Sequence, residues 1–350
     1  MRKENKVAQG SLIDRGDGQR IDWADAAKGL SILLVVFHHA CQTSAYLGQD
    51  WPIYSGMNAL FKPIRMPLFF SIAGMFAASA VARNWVQLLS GRVFTLLWLY
   101  SLWTVIYWLF FRYFDPTNGL KPLGLSKWQI IAMWIIPPSG QWFLWLMAIY
   151  LVLAKILSRF RSVKKLTMIF ILCTLSANVI DHFPHYSWRN GLFYAPFFIG
   201  GSWYGQHIMA WIPRHASLLL LLGGGSFAVL WGVTQRYPVL QTSLSFTGLA
   251  AVLGSAVIAS RNPALRSLLV FFGQRTLAIY MGHGLAIASL SLLLSALPLP
   301  DQAFLWVTPF LLLFSLFASL AMQERSGSFG RAWLYSADGV RRLLPTRTSA

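Results

Sequence analysis

Apolar residues in this chain come in long unbroken runs, neither alternating nor confined to one side of a helix. Ten such runs stand near 29–47, 66–82, 92–113, 142–158, 166–180, 192–210, 217–233, 243–260, 277–297 and 303–322. A bilayer core takes about 20 mostly apolar residues per helix. Lipid admits only helices and closed barrels, because every backbone polar group must find its partner inside the segment or the barrel. Barrel strands alternate and these runs do not, so the pattern predicts helices. The stretch Trp128–Ile136 is also apolar, but it is short and ends at Pro137-Pro138, and reads as an interfacial piece. The predicted class is all-α: a polytopic integral membrane protein of about ten transmembrane helices.

Composition supports this. Of 350 residues, 56% are hydrophobic and 11% charged, against about 25% charged in an ordinary soluble domain. The formal charge is nevertheless +18, from 29 Lys+Arg and 11 Asp+Glu. A basic chain first suggests a nucleic-acid partner, but 16 Trp, 25 Phe and a positive mean hydropathy argue against that reading. Position explains the charge. With the N-terminus inside, 22 Lys/Arg fall in cytoplasmic tails and loops and 7 in outer loops, the positive-inside bias of multi-pass proteins. Both termini are then cytoplasmic. Residues 1–27 read as a disordered cytoplasmic tail, 28–322 as the membrane domain and 323–350 as a basic cytoplasmic tail. The first apolar run is too long for a secretory leader and lacks a small-residue cleavage site. No outer loop is long enough to fold alone, so the chemistry belongs to the membrane domain. Cys41 and Cys173 sit in apolar runs as small buried thiols. Gly201-x-x-x-Gly205 and Gly223-Gly224-Gly225 read as helix-packing surfaces.

Polar groups inside the runs are few, and the first run carries the most informative set. Along Asp25-Ala-Ala-Lys28-Gly29-…-His38-His39, a helix turns about 100° per residue. Lys28 and His39 then lie within about 20° of each other, and Asp25 and His39 within about 40°. The three form one stripe if the helix starts before Asp25, and His38 points about 100° away. His39 lies about 15 Å beyond Gly29, near the midplane. A polar group there is costly and faces a protein interior or a water-filled path. It is either a histidine hydrogen-bonded to a neighbouring helix or a general base. Asp25 and Lys28 read equally as a helix-start charge and an i,i+3 ion pair. Arg92 begins the third run, as a positive-inside anchor or a phosphate ligand. His283 lies between Gly282 and Gly284, which permit close approach of a backbone or ligand. Asp181, His182 and His185 only loosely resemble a metal cluster, and no metal site is assigned. Zinc-protease, P-loop, nucleophile-elbow and dinucleotide signatures are absent from the sequence.

Taken together these residues resemble the acyltransferase-3 family of integral membrane O-acyltransferases, in its fucose 4-O-acetyltransferase-like branch. The match begins with Asp25-x-x-Lys28-x10-His39. It continues in order through Arg65-Met-Pro-Leu-Phe-Phe-Ser-Ile-Ala-Gly74, Arg92 with Leu96-Leu97 and Tyr100-x-x-Trp103, and Trp142-Phe-Leu-Trp145. Phe193-Tyr-x-x-Phe-Phe-Ile-Gly200 and Leu277-Ala-Ile-Tyr280-Met-Gly-His283 complete it. The chain departs from the pattern at Ala73, where serine is usual, at Arg65, where this branch often has histidine, and at Leu99, where proline is usual. The second base of the paired-arginine motif is missing at Arg92-Val-Phe-Thr95.

The resemblance implies transfer of an acyl group, usually acetyl, from cytoplasmic acyl-CoA (acetyl-CoA) to a sugar hydroxyl of a cell-surface or lipid-linked glycan. It implies a multi-pass bacterial inner-membrane enzyme with no permanently bound cofactor and no metal. His39 is the expected general base, with direct transfer and an acyl-histidine intermediate both open, and Asp25 orders the cytoplasmic mouth. Lys28 and Arg92 are the expected donor contacts, and Arg65, Trp142 and His283 the acceptor-side linings. The alternative is a transporter or flippase for a lipid-linked sugar or small metabolite, disfavoured by the lack of an inverted repeat and of intramembrane acids for ion coupling.

Overall fold

The computed structural model describes residues 21–114, 131–137, 140–179, 186–234, 240–328 and 332–337. Among them the regular structure is helical, without strands. The main helices are α1 (Asp22–Tyr46), α2 (Pro52–Ala82), α3 (Trp85–Tyr113), α4 (Trp142–Leu157) and α5 (Val163–Val179). They continue as α6 (Tyr186–Trp211), α7 (Ala216–Thr234), α8 (Gln241–Ala259), α9 (Pro263–Gln274), α10 (Thr276–Ser295) and α11 (Phe304–Ser328).

Each of the ten apolar runs lies on one of these helices, and α9 is additional. Eight helical stretches among the described residues are long and apolar enough to cross a bilayer. One of them, Ser187–Thr234, is 48 residues long, about 72 Å as a helix against a core of about 30 Å. It is two crossings, α6 and α7, folded at the 3₁₀ turn Ile212–His215 that contains Pro213. Helix α5 has 17 residues and is not among those eight stretches. Large apolar side chains face outward on several helices, as at Trp306, Leu221, Val229 and Phe317. In water such a surface would aggregate, and in a bilayer it is the lipid-facing side. The chain is an all-α polytopic membrane protein.

Helix α1 is the hub and packs against α2, α8, α9, α10 and α11. It starts before Asp25, so the condition for the polar stripe is met, and Asp22 and Asp25 occupy its first turn, where carboxylates complement the helix dipole. The interhelix crossings are set by glycine. A methyl on Gly29 would overlap the carbonyl of Leu269, and one on Gly273 the carbonyl of Asp25, so α1 and α9 touch backbone to backbone. Gly74 of α2 sits against the Phe198 carbonyl of α6, and Gly201 and Gly205 of α6 sit against Ser71 and Met75 of α2. Gly223 packs on α8, whereas Gly224 and Gly225 have nothing within 4 Å.

Helix α9 is short because Asn262 and Pro263 start it: the Asn262 side chain accepts from the amides of Ala264 (3.0 Å) and Leu265 (3.2 Å), and proline takes the first position. Its 12 residues are too few to span. Residues 131–137 close a turn, with the amides of Ile135 and Ile136 donating to the Ala132 carbonyl. The carbonyls of this stretch are held by side-chain donors from three helices. They are Tyr100 Oη to Met133 (2.6 Å), Trp145 Nε1 to Trp134 (2.9 Å), Trp188 Nε1 to Ile135 (2.9 Å) and Ser187 Oγ to Pro137 (3.0 Å). The expected interfacial piece therefore includes a turn clamped against the bundle, while its first residues, 128–130, lie outside the described set. Past α11, the backbone oxygens of Trp333 and Leu334 accept from Trp98 Nε1 (3.2 Å) and Trp103 Nε1 (2.7 Å). The Tyr335 ring lies 5.6 Å from that of Trp103, so residues 333–335 pack against the middle of α3.

Candidate active site

Two adjacent residues on α1 point to different helices, as a 100° step requires. His39 faces α10, where its ring centroid lies 5.2 Å from that of His283. His38 faces α2, where Nδ1 is 3.0 Å from Asn58 Oδ1. Arg65 Nη1 donates to the same oxygen at 3.1 Å, which identifies that atom of Asn58 as the acceptor. His38 Nδ1 must therefore carry hydrogen, and in the neutral ring Nε2 holds the lone pair. The His38 and His39 rings are 5.0 Å apart. Arg65 is buried between Pro63 and Pro67. Each proline removes a backbone donor from α2.

His283 is fixed by its own helix. Nδ1 lies 2.9 Å from the carbonyls of both Ile279 and Tyr280. Both partners are acceptors, so Nδ1 is the protonated nitrogen and Nε2 is again the free base position of the neutral ring. The flanking glycines are occupied by protein: Gly282 faces Ser319 of α11, and Gly284 faces the Tyr107 hydroxyl of α3. That hydroxyl donates to the Met281 carbonyl at 3.1 Å.

Trp142 joins this group through a continuous series of rings. Tyr280 lies 6.0 Å from His283 and 5.4 Å from Phe143, and Phe143 lies 4.8 Å from Phe70. Phe70 stacks on Tyr194 at 5.3 Å, and Tyr194 stacks on Trp142 at 6.0 Å. These are ordinary aromatic contact distances. They connect α10, α4, α2 and α6, each of which carries one of the family-like motifs.

Asp25 and Lys28 form a separate polar group nearer the start of α1. Asp25 is 1% exposed and its Oδ1 lies 2.6 Å from Lys28 Nζ. The ammonium also sits 4.3 Å above the Phe76 ring, a favourable cation–π position. Lys28 and His39 are separated by about 16 Å of helix, so the pair bounds the histidine group rather than entering it. Arg92 lies in the π-helical turn Leu89–Val93 of α3, an irregularity that recurs at functional sites. Asp181, His182 and His185 lie outside the described residues, and no group of metal-ligating side chains occurs among those described.

The structure thus brings His39 to His283 and Arg65 to the Asn58 that holds His38, links Trp142 to His283 only through intervening rings, and adds residues not singled out from sequence. Asn58 lies seven residues before Arg65, two turns along the same face. Tyr107 continues the Tyr100, Trp103 stripe, and Gln141 immediately precedes the Trp142-Phe-Leu-Trp145 motif. Gln141 is 2% exposed.

Comparison with known proteins places this arrangement. A family model described as an acyltransferase domain matches residues 21–324. The inner membrane protein YcfT of Escherichia coli (strain K12) is 27% identical over 331 residues, covering 83% of this chain and 88% of that protein. The nodulation protein NolL of Mesorhizobium japonicum is 25% identical over 302 residues, 74% of each chain. The NolL of Sinorhizobium fredii is 29% identical over 330 residues, 79% of this chain and 81% of its own. No solved structure matches.

Proposed function

The chain belongs to the acyltransferase-3 family, and on that premise we propose that it is an O-acyltransferase of the bacterial inner membrane. In this reading it moves a short acyl group, acetyl by preference, from acyl-CoA at the cytoplasmic face to a hydroxyl of a glycan or lipid-linked sugar. The observation that carries the reading is the meeting of His39 with His283 in the interior of the bundle, 5.2 Å ring to ring. Titratable rings that deep in a membrane domain are costly unless used. The name of the relative YcfT supports the inner-membrane location.

His39 takes the proton of the acceptor hydroxyl as its oxygen attacks the thioester carbonyl. The new C–O bond forms, the C–S bond breaks, and the imidazolium returns the proton to the departing thiolate, leaving an ester and free coenzyme A. His283, held by the Ile279 and Tyr280 carbonyls, presents an oriented lone pair beside it. His38, Asn58 and Arg65 fix the ring next to the base. Lys28, steadied by Asp25, and Arg92 contact the donor's phosphates or polar pantetheine groups. The stacked faces of Trp142 and Tyr194 suit a sugar ring. His39→Ala should abolish label transfer from acetyl-CoA to glycan in membranes that contain normal amounts of the protein. Full activity in that variant would overturn the mechanism.

A further inference from the structure

Gln141 is a buried polar side chain with one atom that the fold leaves unused. It is 2% exposed, and its Oε1 is buried without a hydrogen-bond partner. It stands at the N-cap of α4 but makes no side-chain cap bond. The helix start is secured in other ways. The Gln141 carbonyl accepts from the Leu144 amide at 3.2 Å, and the Tyr280 hydroxyl donates to the Gly140 carbonyl at 2.8 Å. Gly140 has φ +104°, the left-handed region that glycine enters without strain, and this turn sets the chain into α4. The helix start therefore does not depend on the amide at position 141, whose partner is the Tyr107 hydroxyl.

The neighbours show what it could serve. The Gln141 side chain faces the Tyr107 hydroxyl, which donates its own hydrogen to the Met281 carbonyl and packs on Gly284. Gln141 thus meets Tyr107, whose hydroxyl packs on Gly284 next to His283 in the chain, and it directly precedes the stacked Trp142. Tyr107 has no hydrogen left for Oε1, and among the described residues none donates to that oxygen.

We propose that Gln141 contacts the acceptor, its buried Oε1 taking a hydrogen bond from a hydroxyl of a sugar whose ring lies against the Trp142 and Tyr194 faces. This rests on the acyl-transfer reading and identifies which residue reads the acceptor. Carboxamides beside aromatic faces suit carbohydrates because rings offer apolar C–H faces and hydroxyl rims at once. An amide N–H of the donor's pantetheine is the other source of such a hydrogen. The sugar is favoured because, with the N-terminus inside, α4 begins on the outer side.

The test uses Gln141→Met, which keeps side-chain length and removes both polar atoms. Purified full-length protein in detergent should melt close to the wild-type temperature, since the unpartnered buried oxygen is deleted along with the amide's bond to Tyr107. Label transfer from acetyl-CoA is then followed to a panel of methyl glycosides of fucose, rhamnose, glucose and galactose. The KM for the accepted glycoside should rise about tenfold, the loss of one neutral hydrogen bond, with the acetyl-CoA KM unchanged. A lower melting temperature with an unchanged glycoside KM would make Gln141 a packing residue and overturn the proposal. A rise in the acetyl-CoA KM alone would overturn it by assigning the residue to the donor. If the wild-type chain labels no acceptor, the acyl-transfer reading itself fails, and this assignment with it.

Discussion

His38 and His39 occupy neighbouring positions with the same chemistry, and their partners separate them. His38 is tied to Asn58, which Arg65 also holds, at 3.0 and 3.1 Å. His39 meets His283. His38→Ala should therefore lower transfer activity several-fold while His39→Ala removes it, measured as initial rates in matched membranes. Asn58→Leu deletes an oxygen shared by two donors and should act like His38→Ala, with an additional cost of about 1–3 kcal/mol for leaving buried donors without it. Asp25 presents a different balance. With the carboxylate 1% exposed and the Lys28 side chain 12% exposed, Asp25→Ala leaves a largely buried ammonium beside an apolar gap. About 3 kcal/mol of stability should be lost, read as a drop in melting temperature in detergent. Adding Lys28→Met should recover most of the stability without recovering donor affinity. The stripe of Asp25, Lys28 and His39 was legible because it depends only on helical periodicity. That His39 meets His283, and Asn58's part in holding His38, depended on where α2 and α10 lie.

At the scale of elements, several family-like motifs turn out to be crossings as much as chemistry. The Phe-Phe-Ser-Ile-Ala-Gly74 stretch of α2 and the Phe-Phe-Ile-Gly stretch of α6 interlock through Gly74, Gly201 and Gly205. Small residues drive such contacts because lipid supplies no hydrophobic force between helices. At Gly29, the neighbour a methyl would meet is the Leu269 backbone, which cannot swing aside. Gly29→Ala should reduce the amount of folded protein several-fold, whereas Gly224→Ala, with nothing within 4 Å, should be neutral or stabilising by up to about 1 kcal/mol. Folded yield and melting temperature in one detergent check both. Gly223-Gly224-Gly225 shows the limit of reading such patterns: only the first of the three packs on α8. Periodicity could not show which glycine faces a neighbour, because the apolar surface of these helices is nearly uniform around the axis. Helix α9 was hidden for a related reason. Its residues read as part of a basic inner loop, and only its close packing on α1 makes it a structural element.

Across the whole molecule, the uneven distribution of cations carries a prediction about topology. The 22-to-7 distribution of Lys/Arg predicts that both ends of the chain and the turn near Arg161 face the cytoplasm. With Cys41 and Cys173 replaced by serine, a single cysteine at Ser162 should react with an impermeant maleimide only in inside-out vesicles. One at Gln49 should react only in right-side-out vesicles, and the reverse pattern would invert the orientation. By itself the sequence determined the all-α membrane class, the positions of the apolar helices and the Asp25–Lys28–His39 stripe, because each follows from local composition and a 3.6-residue repeat. Only the tertiary structure decided that His39 faces His283, that the aromatic series reaches Trp142, that Asn58 holds His38, and that Gln141 meets Tyr107 beside Gly284. Those contacts join residues far apart in the chain, and their geometry is fixed by backbone-to-backbone glycine crossings, which local pattern does not encode.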